Sequence, residues 1–202
     1  MSSVREVVAA VRAGELVVIP TDTVYGLACA PDDEMAVRAL SELKRRAAGQ
    51  PVALVAASVD ELIECVAELR GRAEMLARSL LPGPFTLVFP NPTRRYPWLT
   101  GERPQTIGVR VPELEGRAWE FLADVAAVAA TSANRHGGAE PRRLADVPPE
   151  ILDAVAATLD GGELPGAPST VLDLTTPEPR VLRDGAVPAG DALARVAALL
   201  AE

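Results

Sequence analysis

The chain holds 20 basic residues, and Lys44 is the one lysine among them. It opens Lys44-Arg45-Arg46, an ammonium and a guanidinium two residues apart, where an apolar helical pattern runs out. A compact ammonium and a forked guanidinium suit phosphate and carboxylate oxygens. Basic residues there also complement a helix C-terminal dipole, and GC-rich coding replaces Lys by Arg, so this spacing alone leaves all three explanations open. Arg110 and Arg183 stand at or near the ends of predicted elements, where with Arg46 they could converge on one anion. Surface carboxylates are their alternative partners. Two small polar clusters, Pro20-Thr-Asp-Thr-Val-Tyr-Gly-Leu27 and Thr131-Ser-Ala-Asn134, each follow a predicted strand. Ligands of open α/β sheets sit beyond strand ends, although these residue types are also those that turns use.

Anion binding is therefore one chemistry on offer, whereas triad chemistry would have to run through one poorly placed histidine. The single histidine, His136, is flanked by Arg135, Gly137 and Gly138, a poor setting for the fixed imidazole of a Ser-His-Asp or Cys-His arrangement. Cys29 and Cys65 each stand without a second Cys or a His nearby, which excludes a disulfide framework and the usual zinc spacings. No GxxxxGK[ST], strand-borne GxGxxG, GxSxG or HExxH occurs.

The elements that must position these residues follow from periodicity. Ser3 and Glu6 form a capping box for a helix over 4–13, closed by Gly14. Leu16 to Ile19 reads as a buried strand ending at Pro20. Asp32 or Asp33 caps a helix carrying Val37, Leu40 and Leu43 and ending in the basic triplet. Further helices are expected from Ser58 through Leu69 and over 72–81, 114–123, 149–156 and 191–201. Strands are expected at Val52–Ala56, Thr86–Phe89, Thr106–Val111, Val125–Ala130, Val171–Leu174 and Arg180–Leu182, with Asn91–Gln105 the least regular stretch. The alternation lacks a strict βαβ rhythm, so the fold class is α/β, a twisted mixed sheet with helices packed around it.

At 202 residues, 49% hydrophobic and 24% charged, the chain is of a size and composition to bury roughly 70% of its unfolded surface in one domain. Aromatics make up 3%, so the core must be aliphatic. No apolar run reaches the ~18 residues of a membrane span, and the charged N-terminus does not read as a signal peptide. The net charge of -8 argues against nucleic-acid binding, a local basic cleft aside.

The eight residues from Pro20, the Lys44–Arg46 element, Pro82-Gly-Pro84 with Thr86, Thr106-Ile-Gly-Val-Arg110-Val-Pro112, Ser132-Ala-Asn134, Ser169-Thr-Val171 and Arg183-Asp-Gly-Ala186 recur in a familiar order. In that order and spacing they resemble the motifs of the YrdC-like threonylcarbamoyl-adenylate synthase family, from residue 16 to about 187. The short members of that family are single domains, so residues 1–202 are expected to form one YrdC-like domain. The resemblance implies a nucleotidyltransferase that converts ATP, bicarbonate and L-threonine to threonylcarbamoyl-AMP and pyrophosphate. The product would pass to a tRNA threonylcarbamoyltransferase for modification at tRNA position 37, in the cytoplasm and away from membranes.

By matched position, the resemblance makes Lys44 and Arg46 catalytic, acting on the phosphates or the carbamate. Thr23, Arg110, Ser132 and Ser169 would hold the amino acid. Arg46, Gln50, Thr106, Ser132, Asn134 and Arg183 would hold the nucleotide, with Mg2+ alongside and no protein metal ligand. Two positions depart from the family pattern: Ala47 stands where a proline usually follows the basic element, and Val55 where some members carry histidine. The alternatives are a paralogue with a different acyl or carbamoyl substrate, such as the carbamoyl-adenylate domain of hydrogenase maturation factors, and an RNA-binding module.

Overall fold

A computed structural model describes residues 2–45 and 49–201. In it Ser3 Oγ accepts the Glu6 N–H at 3.3 Å while Glu6 Oε2 accepts the Ser3 N–H at 2.6 Å, and this reciprocal box starts α1, Val4–Arg12. Asp33 rather than Asp32 caps α2, Glu34–Leu43, by accepting from the Met35 and Ala36 amides. Ser58 likewise caps α3, Val59–Cys65. The remaining helices are α4, Arg72–Leu80; α5, Gly116–Val125; α6, Pro149–Leu152; and α7, Ala189–Leu200.

Nine strands join in one sheet: β1, Val17–Ile19; β2, Gly26–Cys29; β3, Ala53–Ala56; β4, Phe85–Pro90; β5, Thr106–Arg110; β6, Ala127–Ser132; β7, Ala157–Thr158; β8, Thr170–Asp173; and β9, Arg180–Arg183. Their order is β7-β1-β2-β6-β3-β5-β4-β8-β9. The pairs β1/β7, β3/β5 and β4/β8 are parallel and the other five antiparallel, which is the mixed sheet that the irregular alternation predicts.

Side-chain alternation gives this sheet two unlike faces. Leu27, Leu54, Leu87, Val109 and Leu172 point to one face and pack with residues of α2, α3, α4 and α7, among them Leu40, Leu62, Leu76 and Val196. On the other face, Val17, Ile19, Ala28 and Val128 are covered by Val7, Val8 and Val11 of α1 and by Phe121 and Leu122 of α5. That cover lies over β7, β1 and parts of β2, β6 and β3, where Val55 joins it. From the Gly26 and Ala130 positions of β2 and β6 across β3, β5, β4 and β8, the same face forms the floor of a cleft.

Several expectations need correction. β2 was expected as part of a polar loop; its pairing with both β1 and β6 satisfies its backbone, a tertiary effect that outweighs the turn residues before it. β7, two residues long, carries no readable pattern of its own. α3 stops at Cys65, four residues short of the expected Leu69, and α6 spans four residues instead of eight. Val125 ends α5 instead of opening a strand, and Ala126 turns the chain with φ +64° into β6. Thr131 and Ser132 consequently lie inside β6 and not in a loop after it.

Candidate active site

The cleft has a volume of about 480 Å³. Its floor is made of small residues on neighbouring strands: Gly26, Ala130, Ala53 and Gly108. Ala130 pairs with both Ala28 and Ala53, and Gly108 pairs with Val88, so the hollow runs across the strands where larger side chains would close it. Around this apolar floor stand Thr86, Thr106, Ser132 and Ser169, with Arg110 and Arg183 among the lining residues.

The loop between β1 and β2 shapes the end of the cleft near Arg110. The Thr21 hydroxyl accepts from the Thr23 and Val24 amides at 3.2 and 3.3 Å and donates to the Val24 carbonyl at 2.7 Å, a turn built on a side-chain oxygen. That turn presents Asp22 and Thr23 to Arg110 at the end of β5. One guanidinium nitrogen, Nη2, donates to Asp22 Oδ1 and, at 2.8 Å, to Thr23 Oγ1. Arg110 is 8% exposed, and its Nε–H is buried with no partner. Burial pulls this guanidinium below its ordinary pKa, and Asp22 opposes the shift.

On the β8–β9 side, Arg183 donates to the Ser169 carbonyl at 2.9 Å and to the Ser169 hydroxyl at 3.0 Å. The same hydroxyl lies 2.8 Å from Thr86 Oγ1. Burial lowers the Arg183 pKa, Glu140 raises it, and Arg110 lowers it further, so the two guanidiniums repel across the site. A bound anion would relieve that repulsion. Gly185 is what lets this corner close: a Cβ there would fall 2.3 Å from the Pro168 carbonyl oxygen, and backbone cannot give way as a flexible side chain can.

Behind the β6 wall lies Lys44, 3% exposed. Its ammonium donates to the Ser132 carbonyl, to Asn134 Oδ1 at 2.8 Å and to Ser132 Oγ at 3.4 Å. Ser132 Oγ also donates to Asn134 Oδ1 at 2.7 Å, and Asn134 Nδ2 donates to the Gly138 carbonyl at 2.7 Å. A charge that only complemented the helix dipole would stay at the surface; instead the C-cap of α2 folds its side chain inward onto β6 and the residues just after it. Gln50 lines the cleft and lies 3.5 Å from His136 through their Nε2 atoms.

Of the residues singled out by sequence, Gln50, Thr106, Arg110, Ser132, Ser169 and Arg183 line one cleft. Thr23, Lys44 and Asn134 stand behind its lining and touch it through Arg110 and Ser132. Arg46 and Ala47 lie outside the described residues. Val55 lines the cleft as an apolar floor residue. Asp22, Thr86 and Gly108 were not assigned roles, though all three sit inside or beside the quoted motifs. The readable signal was strongest for Gly108, a glycine in mid-strand where backbone entropy disfavours one. Among the described residues no cluster of His, Cys, Asp and Glu is placed to hold a metal ion, and no helix is long and apolar enough to cross a membrane.

Comparison with known proteins converges on one group. The Sua5/YciO/YrdC family model, described as telomere recombination, matches residues 9–185. A threonylcarbamoyl-AMP synthase of Pyrococcus abyssi is 37% identical over 179 residues, which are 88% of this chain and 52% of that protein. A putative threonylcarbamoyl-AMP synthase of Mycobacterium tuberculosis is 37% identical over 181 residues, covering 89% of this chain and 82% of the relative. The crystal structure of P. abyssi Sua5 complexed with L-threonine superposes with a TM-score of 0.82 at 34% identity, over 95% of this chain and 56% of that one. The chain thus spans about half the length of its P. abyssi relatives.

Proposed function

The chain belongs to the Sua5/YciO/YrdC family, and from that membership we propose that it is an L-threonylcarbamoyladenylate synthase. The observation that carries this reading is the buried Arg110, whose Nε–H has no partner, in a cleft it shares with Arg183. Two guanidiniums that repel each other in a hydroxyl-lined hollow suit a doubly anionic occupant. A relative crystallised with L-threonine supports the amino acid as one part of it.

In the proposed reaction the threonine amine combines with bicarbonate, releasing water and giving the N-carboxy amino acid. A carbamate oxygen then attacks the α-phosphorus of ATP, the Pα–O bond to the β-phosphate breaks, and pyrophosphate leaves with the electron pair. Proton transfer is a minor burden in such a displacement, which depends on alignment and on stabilising oxyanion charge. Mg2+ binds through phosphates and retained waters, so it is taken as arriving on the nucleotide, as part of the substrate.

Arg110, with Thr23 beside it and Ser169 lining the same cleft, receives the threonine carboxylate. Arg183, Thr106, Gln50 and Ser132 serve the nucleotide, with Arg46 completing the basic element. Lys44 acts through Ser132 and Asn134, whose oxygens its ammonium orders. The product goes to a tRNA threonylcarbamoyltransferase in the cytoplasm, a reducing compartment suited to the free thiols of Cys29 and Cys65.

Pyrophosphate release from ATP tests the reading directly. Release should require both L-threonine and bicarbonate, and equal release with either omitted would refute it. Release supported better by another amino acid or acyl acceptor would reassign the chain to a paralogue of different substrate.

A further inference from the structure

Asp22 sits in the loop between β1 and β2, while Arg110 ends β5, and in the sheet β2, β6 and β3 lie between β1 and β5. The contact between them therefore joins two distant strands at one end of the cleft. Both side chains are 10% exposed. Asp22 is itself held at both oxygens: Oδ1 accepts from Arg110 Nη2, and Oδ2 accepts the Glu113 N–H at 3.2 Å. Thr23 Oγ1 takes a second Nη2 donation at 2.8 Å. Nη2 has two hydrogens, and this pair of acceptors engages both. The Nε–H is buried without a partner, so the guanidinium is not fully satisfied within the fold, and Arg110 is among the residues that line the cleft.

We propose that Asp22 is a positioning residue for the amino-acid substrate: by fixing Nη2 it holds the Arg110 guanidinium in the cleft lining, oriented for the substrate carboxylate. This rests on the synthase reading above. The geometry favours it over simple charge balance. A carboxylate needed only as a counter-ion would not have to be anchored from its far side by a backbone amide. Without that anchor, a buried guanidinium at a strand end would turn towards the cleft and occupy the space its ligand requires.

The two roles predict opposite signs. Removing a pure counter-ion makes the site more positive and tightens carboxylate binding. Removing a positioning group loosens it. Calorimetric titration of the full chain with L-threonine, L-threoninamide and ATP separates them, because threoninamide lacks the carboxylate. Asp22→Asn should weaken L-threonine at least tenfold, the scale of a lost charged hydrogen bond, while L-threoninamide and ATP change less than twofold. Asp22→Glu keeps the charge but displaces it by one methylene, and should show the same threonine-specific loss; it also carries the test should Asp22→Asn fail to fold. In turnover the loss should appear in KM for threonine with kcat nearly unchanged.

Unchanged or tighter threonine binding by both variants overturns the proposal, as does a parallel loss for all three ligands, which marks a structural role. Failure of the unaltered protein to bind L-threonine overturns the synthase reading instead. Equal wild-type affinity for L-threonine and L-threoninamide removes the carboxylate contact, and with it the role of Asp22.

Discussion

Lys44 illustrates how far one buried charge departs from the same charge at a surface. An exposed cation in the last turn of a helix contributes a few tenths to about 1 kcal/mol. Here the ammonium is 3% exposed, and acceptors of it lie in β6 and the segment that follows it. Lys44→Met keeps much of the volume and deprives the Ser132 carbonyl and Asn134 Oδ1 of their cation. Hydrogen bonds that involve a charged group contribute about 1.5–3 kcal/mol. Chemical denaturation should therefore show a loss in that range, accompanied by loss of most pyrophosphate release. A loss of a few tenths with full turnover would return Lys44 to the role of a helix-end charge. The lone lysine was visible in the sequence, but the direction in which its side chain runs was not, because nothing local to residue 44 encodes the arrival of β6 beside it.

Among the elements, α2 is the one whose end delivers Lys44, and its start is set by a single side chain. Asp33 Oδ1 accepts from the Met35 and Ala36 amides at 2.9 and 3.0 Å, satisfying two of the four unpaired donors of the first turn. Asp33→Ala should cost about 1 kcal/mol by urea denaturation, with KM for threonine and ATP unchanged, since the cap lies a full helix away from the cleft. A change in KM without a change in stability would mean that the cap sets the register of Lys44. The caps at Ser3 and Ser58 were legible and that of α2 was legible to within one residue, Asp32 or Asp33, each being a local exchange between a side chain and an amide two or three residues on. Helix ends were less so. Cys65 ends α3 although apolar residues continue to Leu69, because Val66 and Leu69 are buried in the main core cluster without being helical. Helical periodicity reports burial, and burial does not require a helix.

At the scale of the whole molecule, the cleft exists because α1 and α5 cover one part of a sheet face and leave the rest to small residues. Gly108 tests that account. A Cβ there would meet only Thr86 Cγ2, at 3.8 Å, so the fold has room for a side chain and the cleft does not. Gly108→Val should leave thermal stability unchanged or raise it by up to about 1 kcal/mol, since glycine is a poor strand residue, yet weaken ATP at least tenfold in calorimetry. Undiminished ATP binding would place the nucleotide away from the floor. The sequence by itself determined the caps of α1 and α3, the mixed α/β class, a predominantly aliphatic core and six of the residues that line the cleft, because each rests on composition, on spacing along the chain or on motifs at fixed order. It could not determine that Gly26–Cys29 is a strand, that Lys44 turns inward or that Asp22 grips Arg110 across 88 residues. Those depend on which strands lie side by side, and strand order is decided by the joint burial of both sheet faces, a property that no single segment carries.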